Sequence, residues 1–308
     1  MSGIGLYFHV PFCRRKCSYC NFYSAPATPE QMAAYTEAVC RNLRHYTSNT
    51  VADTLYFGGG TPSLLAPEQL EQILACAAAC FSIPPDAEIT LEANPATLTP
   101  ENLRRLRAAG VNRLSLGVQS LSDAQLRRLG RMHTAQEALD TVEAAAGAGF
   151  RNISCDVMLA LPKQTPAELS ETLEQMAQLP IQHISAYLLK IESGTPFARQ
   201  HAEQECPDED TAADLYLQTV RTLEQAGFRQ YEISNFAKTG YESRHNCKYW
   251  RCVPYLGIGP SAHSCWEGKR FFVPSDTADF LAQPVQQAVL EDAQPCTPEE
   301  QIMLGMRL

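Results

Sequence analysis

Gly5-Leu6-Tyr7-Phe8-His9-Val10-Pro11-Phe12-Cys13-Arg14-Arg15-Lys16-Cys17-Ser18-Tyr19-Cys20 is the stretch from which the rest of the chain is read. Gly5–Val10 is short and apolar, a strand pattern, and the three cysteines follow it in a loop with the spacing C-x3-C-x2-C. Further strand-like runs occur at Thr54–Phe57, Glu88–Glu92, Arg113–Val118, Asn152–Met158 and His183–Leu189. Between them lie helical patterns at Pro29–Tyr46, Pro67–Phe81, Pro100–Ala109, Thr134–Ala148 and Pro166–Leu179. Each helix opens on Thr-Pro, Ala-Pro or Thr, as expected where proline occupies the first turn. Gly110 and Gly149 follow two of them as C-terminal caps. Alternating strands and helices imply parallel strands with right-handed crossovers, forming either an open doubly wound sheet or a partial barrel. In both, ligands gather at the carboxyl ends of the strands. The polar candidates lie there: the cysteines after strand one, Gly58-Gly59-Gly60 after strand two, then Glu92, Gln119 and Asp156 at the ends of strands three, four and five.

Past Leu189 the pattern loosens. A helix is expected near Asp210–Gly227, a strand near Gln230–Ile233 and a last helix over Thr297–Leu308 with no stop signal. Residues 1–233 therefore read as one unit. Residues 234–308, rich in aromatics, Gly and Pro, read as a C-terminal region truncated within a longer protein. The 308 residues are 45% hydrophobic and 19% charged, with a net charge of −9. That composition supplies a core, and its acidity argues against a broad nucleic-acid-binding face. No apolar run approaches roughly 18 residues, so no spanning helix is expected. The twelve cysteines, with no signal-peptide pattern, fit a reducing cytoplasm better than a disulfide framework. Cys40, Cys76, Cys80 and Cys155 fall in helix or strand patterns and read as small buried hydrophobes.

Cys13, Cys17 and Cys20 invite metal chemistry. Thiolates are the usual ligands of iron–sulfur clusters, and one loop with this spacing can wrap a cluster. Three ligands for four irons leave one iron open to chelate a small molecule. Arg14, Arg15 and Lys16 would offset the cluster's negative charge, and Tyr19 and Phe22 could shield it from water. The alternative is structural zinc with His9 as fourth ligand, although such sites usually pair two ligand turns. Gly58-Gly59-Gly60 lacks the Gly-Lys-Ser/Thr of a P-loop and the spacing of a dinucleotide fingerprint. Glu92, Asp156 or Arg131 alone would be ordinary caps, ion-pair partners or solvated residues.

Taken together, these features resemble the radical SAM (S-adenosylmethionine) superfamily, and within it the group of oxygen-independent coproporphyrinogen III oxidase and the HemW-type haem chaperones. The resemblance rests on Tyr7–Cys13, Cys17, Cys20, Tyr56-Phe57-Gly58-Gly59-Gly60-Thr61-Pro62-Ser63, Glu92-Ala93-Asn94-Pro95 and Ser115-Leu116-Gly117-Val118-Gln119-Ser120. It implies an α/β fold, a partial (β/α)6 radical SAM barrel with a smaller mixed C-terminal region. It implies Cys13, Cys17 and Cys20 as ligands of a 4Fe–4S cluster. Tyr7, Gly59, Gly60, Thr61, Glu92, Gln119, Arg131 and Asp156 are implied around SAM.

Two departures separate the chain from the oxidase pattern. Phe22 stands where that pattern has a fourth cysteine, and the oxidase's N-terminal extension has no counterpart in the twelve residues before Cys13. His245-Asn246-Cys247-Lys248-Tyr249-Trp250 matches the H-N-x-x-Y-W motif of the chaperones. It offers His245 as an axial haem ligand, Tyr249 and Trp250 as flat apolar surface, and Arg244, Lys248 and Arg251 for propionates. Cys247, Cys252, Cys206 in Cys206-Pro207, and His263 are competing ligands. The expected function is haem binding and transfer to an acceptor haemoprotein, with SAM and the cluster gating transfer or supporting a homodimer. The rival is radical decarboxylation of coproporphyrinogen III to protoporphyrinogen IX, which needs an electron donor. A simple Fe–S electron carrier leaves the glycine loop unexplained.

Overall fold

A computed structural model describes residues 3–285 and 288–308. In chain order the first half runs β1 (Ile4–Val10), α1 (Pro29–His45), β2 (Ala52–Gly59), α2 (Pro67–Cys80), β3 (Glu88–Ala93), α3 (Pro100–Ala108), β4 (Arg113–Gln119), α4 (Asp123–Leu129), α5 (Ala135–Gly147) and β5 (Ile153–Leu159). The second half runs α6 (Pro166–Gln178), β6 (His183–Leu188), α7 (Pro196–Arg199), α8 (Glu209–Gln225), β7 (Arg229–Glu232), β8 (Asn235–Ala237), α9 (Arg244–Trp250), β9 (Tyr255–Ile258), β10 (His263–Trp266), β11 (Lys269–Phe272), α10 (Thr277–Ala282), β12 (Val289–Asp292) and α11 (Pro298–Gly305).

Strands β1 to β6 lie side by side in sequence order, all parallel. A doubly wound sheet would reverse its order part-way, so of the two architectures the sequence allows, this is the partial barrel. Helix starts follow local chemistry. The Thr28, Thr134 and Thr165 hydroxyls each accept from the backbone N–H three residues on, and Gln31, Glu137 and Glu168 at those positions reach back to the cap, forming three capping boxes. Tyr46, Ala109 and Ala148 serve as caps just past the last helical turn.

Alternation along the strands sorts side chains between two faces. Leu6, Phe8 and Val10 on β1, Leu55 and Phe57 on β2, Leu114, Leu116 and Val118 on β4, and Ile153, Cys155 and Val157 on β5 are buried in one continuous core. Phe8 and Phe57 stack with ring centroids 4.4 Å apart, a geometry that contributes about 1 kcal/mol beyond the area it buries. The intervening positions are largely polar: Tyr7, His9, Tyr56, Glu92, Ser115, Gln119 and Asp156. They form the other face; hydrogen bonds from Tyr56 to Glu92 and from Ser115 to Asp156 run across neighbouring strands, and the one between Tyr7 and His9 runs along β1. This polar lumen is where the site is built. Cys40, Cys76, Cys80 and Cys155 are buried as expected, and burial pushes the Cys155 thiol far above its ordinary range.

The C-terminal residues are more regular than their composition suggests. They extend the same sheet on both edges, giving the order β12-β11-β10-β9-β1-β2-β3-β4-β5-β6-β8-β7. β9 runs parallel to β1, Gly5 pairing with Tyr255 and Phe8 with Ile258, and β8 runs antiparallel to β6. The sheet therefore passes through the 233/234 boundary. Among the described residues no helix is long and apolar enough to cross a membrane.

Candidate functional site

A cavity of about 420 Å³ opens at the carboxyl ends of the parallel strands, and Cys13, Cys17 and Cys20 all line it. Their loop is fixed by its backbone. Cys13 N–H donates to Ala25 O (3.0 Å), Ser18 N–H to Leu129 O (2.9 Å), Cys20 N–H to Cys17 O (3.2 Å) and Phe197 N–H to Ser18 O (2.9 Å). The three thiols are free and half-buried. Burial pushes the Cys20 thiol up, partly opposed by a bond from the Phe22 N–H. Arg15, Lys16, Tyr19 and Phe22 surround the same cavity, with Phe22 64% exposed at its rim.

The glycine loop after β2 is stitched onto the start of the cysteine loop. Gly60 N–H donates to Val10 O (2.9 Å) and Thr61 N–H to Phe12 O (2.7 Å). A Cβ on Gly60 would fall 2.6 Å from Phe12 O and 2.7 Å from Val10 O, so no larger residue fits without opening this seam. Gly59 adopts φ +103°, and a Cβ there would strike the His9 ring at 2.5 Å. The Thr61 hydroxyl lies 3.2 Å from Cys13 Sγ, which ties the two loops together at the thiol.

Behind them stand two carboxylates and a guanidinium. Tyr56 O–H donates to Glu92 Oε1 (2.8 Å) and Gly59 N–H to Oε2 (3.2 Å), so Glu92 anchors the glycine loop from β3. Burial, reinforced by the charge of Asp156 and opposed by the Tyr56 bond, raises the Glu92 carboxyl to about 7. Burial also pushes Asp156 up, against hydrogen bonds from Ser185 and Ser115, the latter 3.3 Å long. Asp156 lies mid-way along β5 rather than at its end. Arg131 Nη2 donates to Gly117 O (2.5 Å) and Nη1 to Cys17 Sγ (3.4 Å), while Nε is buried with no partner. Gln119 completes the wall at φ +70°, a left-handed conformation that a non-glycine residue holds at a cost and that clusters at binding sites.

Of the residues expected around SAM, Gly59, Gly60, Thr61, Glu92, Gln119, Arg131 and Asp156 all line this cavity. Tyr7 does not. Its hydroxyl is spent on His9 Nδ1 (3.1 Å) and its ring lies beside Tyr56, with centroids 6.2 Å apart. Asn94, Ser115, Gly117, Met158 and Tyr187 also line the cavity. Asn94, Ser115 and Gly117 belong to the runs that carry the resemblance, with no role read for them there, and Met158 and Tyr187 had no signal of their own.

His245 departs from expectation. It is completely buried, with Nδ1 2.8 Å from the Thr54 hydroxyl and Nε2 2.8 Å from the Tyr249 hydroxyl, and it stacks on Tyr56 at 5.0 Å. Burial, aided by the Lys248 and Arg113 charges, lowers its imidazole to about 3. Neither ring nitrogen faces an incoming iron. Glu88 fixes the helix that carries it by accepting from Arg244 N–H and His245 N–H, both at 3.0 Å. Lys248, read as a propionate partner, is buried and pairs with Asp53 Oδ1 at 2.7 Å. The H-N-x-x-Y-W segment thus packs α9 into the polar lumen.

The zinc alternative fares no better. His9 donates from Nε2 to Tyr23 O (3.0 Å) and accepts the Tyr7 hydroxyl on Nδ1, leaving it nothing for a metal. Among the described residues no three His, Cys, Asp or Glu side chains converge as one ion would require. A cubane is held by thiolates on separate corners, and three free thiols on one cavity fit that need. The partnerless Arg131 Nε and the glycine seam fit an anionic, backbone-cradled ligand beside it.

The sequence pattern of the radical SAM superfamily matches residues 7–176. The heme chaperone HemW of Lactococcus lactis is 36% identical over 306 residues, covering 98% of this chain and 80% of that protein. The chain belongs to the HemW group of the radical SAM superfamily. HemW of Escherichia coli is 39% identical, over 84% of this chain and 69% of its own. The mouse protein "Radical S-adenosyl methionine domain-containing protein 1, mitochondrial" is 43% identical over 93% of this chain. This HemW-group chain spans 65% of that mouse relative and 60% of its cattle counterpart. Among solved structures, the coproporphyrinogen III oxidase HemN of Escherichia coli superposes with a TM-score of 0.84 at 25% identity, over 99% of this chain and 74% of HemN.

Proposed function

We propose that this protein binds haem and passes it to an acceptor haemoprotein, on a scaffold in which Cys13, Cys17 and Cys20 hold a 4Fe–4S cluster and the adjoining cavity takes SAM. The observation that carries the cofactor part is the convergence of three free thiols, the Gly59–Thr61 seam, Arg131 and two buried carboxylates on one cavity. When bound, a cluster with three protein ligands supplies an open iron for the amino and carboxylate groups of SAM, and an electron. The chain's own residues do the holding. Arg131 is placed to clamp a carboxylate, Glu92 and Asp156 to accept from ribose hydroxyls, and Gly60 to let backbone approach the methionyl part. Arg15 and Lys16 offset cluster charge.

The haem part is supported by the names of relatives that align over most of the chain. With His245 enclosed, His263 is the better-placed imidazole of the candidates. Its side chain is 53% exposed, its ring stacks on Phe272 at 5.3 Å, and it opens β10 at the same end of the sheet as the cysteine loop. The proposal includes a reducing cytoplasmic setting, no nucleic acid partner, and a homodimer whose assembly the cofactors support. The likeness to HemN favours a second reading, radical decarboxylation of coproporphyrinogen III with an electron donor. Phe22 at the cavity rim, where the oxidase pattern has cysteine, weighs against it. Anaerobic haem titration with and without SAM, followed by porphyrin analysis, separates the two. A saturating Soret change with coproporphyrinogen III left intact is expected. Protoporphyrinogen IX formed with SAM and a reductant would establish the oxidase instead.

A further inference from the structure

A second group of thiols lies toward the amino end of the parallel strands, where Cys265 pairs with Tyr255 and Tyr255 with Gly5, whereas the cluster cavity opens at their carboxyl ends. Cys265 projects from β10, Cys296 from the turn before α11, and Cys252 follows α9; all three line one cavity of about 280 Å³. Cys265 Sγ and Cys296 Sγ are 3.7 Å apart, sharing a thiol hydrogen bond and not a covalent one. Cys296 Sγ also donates to the Cys252 carbonyl oxygen at 4.0 Å. Cys252 and Cys296 are half-buried and Cys265 is buried. Both half-buried residues hold left-handed backbone, φ +50° and +64°, which non-glycine residues adopt at a cost and which accumulates at functional positions. The Arg270 guanidinium, paired with Glu300 at 2.6 Å, lines the same cavity and only partly opposes the rise that burial imposes on the Cys265 and Cys252 thiols.

We propose that these cysteines form a reversible thiol–disulfide exchange site, in which a low-molecular-weight disulfide such as glutathione disulfide oxidises the Cys265–Cys296 pair. The half-buried Cys296 thiolate attacks the small disulfide, forming a mixed disulfide and releasing one thiol. The Cys265 thiolate then attacks the Cys296 sulfur, expelling the second thiol. Two protein thiols and one disulfide become one protein disulfide and two small thiols, so atoms and electrons balance. Cys296 is half-buried where Cys265 is buried, so Cys296 is the sulfur a small disulfide meets first, and Cys265, 3.7 Å away, is in place to resolve the mixed disulfide. Closure ties the turn before α11 to β10. Helix α11 packs on α9, and Arg307 beyond it lies 4.1 Å over the Trp250 ring, so the bond would latch this edge of the molecule against the helix that enters the lumen. The site is independent of the haem and cluster assignments.

The test is anaerobic equilibration of the whole chain in buffers of stepped reduced-to-oxidised glutathione ratio, followed by rapid alkylation and peptide mass spectrometry. A peptide pair linked through Cys265 and Cys296 should appear and vanish again on return to reduced glutathione. In Cys265→Ser the link should be lost and glutathione should remain on Cys296. Cys265 and Cys296 recovered separately alkylated, at ratios where other half-buried thiols of the same unsubstituted chain carry glutathione, would overturn the proposal.

Discussion

The residues that decide the chemistry are few, and each carries a separable expectation. Cys17 is held by Arg131 and sits in a loop whose backbone bonds do not involve its sulfur. Cys17→Ala should therefore keep the fold, by circular dichroism, and lose the cluster absorbance of anaerobically reconstituted protein. Full iron content in that variant would remove Cys17 as a ligand. Glu92 gives a pH signature. Its carboxyl is held at about 7 in the folded chain, against an ordinary value of 4.5. Below about pH 4.5 both states keep the proton, and the residue costs nothing. Between 4.5 and 7 the unfolded chain ionises first, so stability falls as pH rises, and above 7 the loss is complete. A displacement of that size corresponds to about 3 kcal/mol at most, and water in the cavity reduces it to roughly 1–2 kcal/mol. Urea denaturation of cluster-free protein at pH 4 and pH 8 measures it. Glu92→Gln should lose about 1–2 kcal/mol less than the parent between the two pH values. Parallel losses would mean that Glu92 is not held protonated.

At the scale of elements, α9 shows what sequence patterns reveal and what they hide. The six parallel strands were legible because each presents Leu, Val, Ile or Phe to the helices and polar groups to the lumen, and because Thr28, Thr134 and Thr165 mark helix starts by capping boxes. The cysteine and glycine loops were legible because their spacing has few other uses. α4 was missed, being seven residues with two arginines in its last turn, and β8 to β12 were missed because strands of three or four residues are too short to show a period. His245 misled for a different reason. A histidine beside Tyr and Trp offers the same atoms to a metal as to two buried hydroxyls, and only the packing of α9 distinguishes them. Removing that ring should therefore damage stability first. His245→Ala leaves the Thr54 and Tyr249 hydroxyls unpaired and vacates a stack on Tyr56, a loss of about 2–4 kcal/mol. Denaturant titration should find it, with haem affinity unchanged in protein that remains folded. A lost Soret change at full stability would restore His245 as ligand.

The whole molecule makes the site, because no single element contains it. Cys13, Gly60, Glu92, Gln119, Arg131 and Asp156 come from the ends or middles of five neighbouring strands and the turn after α4. They meet only when the sheet has assembled in order. Whatever binds among them therefore stabilises the folded chain and has little affinity for the unfolded one. At a SAM concentration one hundred times its Kd, that linkage is worth about 2.7 kcal/mol. For a chain of this length the unfolding entropy converts it to a rise in Tm of roughly 4 °C. Because the open iron is half of the proposed binding site, the rise should require the cluster. Thermal scans of cluster-loaded protein with SAM should show it, and Cys17→Ala scanned alongside should not. An equal rise in the variant would place SAM on the glycine seam and carboxylates alone, and would separate the cavity from the cluster that the three thiols are proposed to hold.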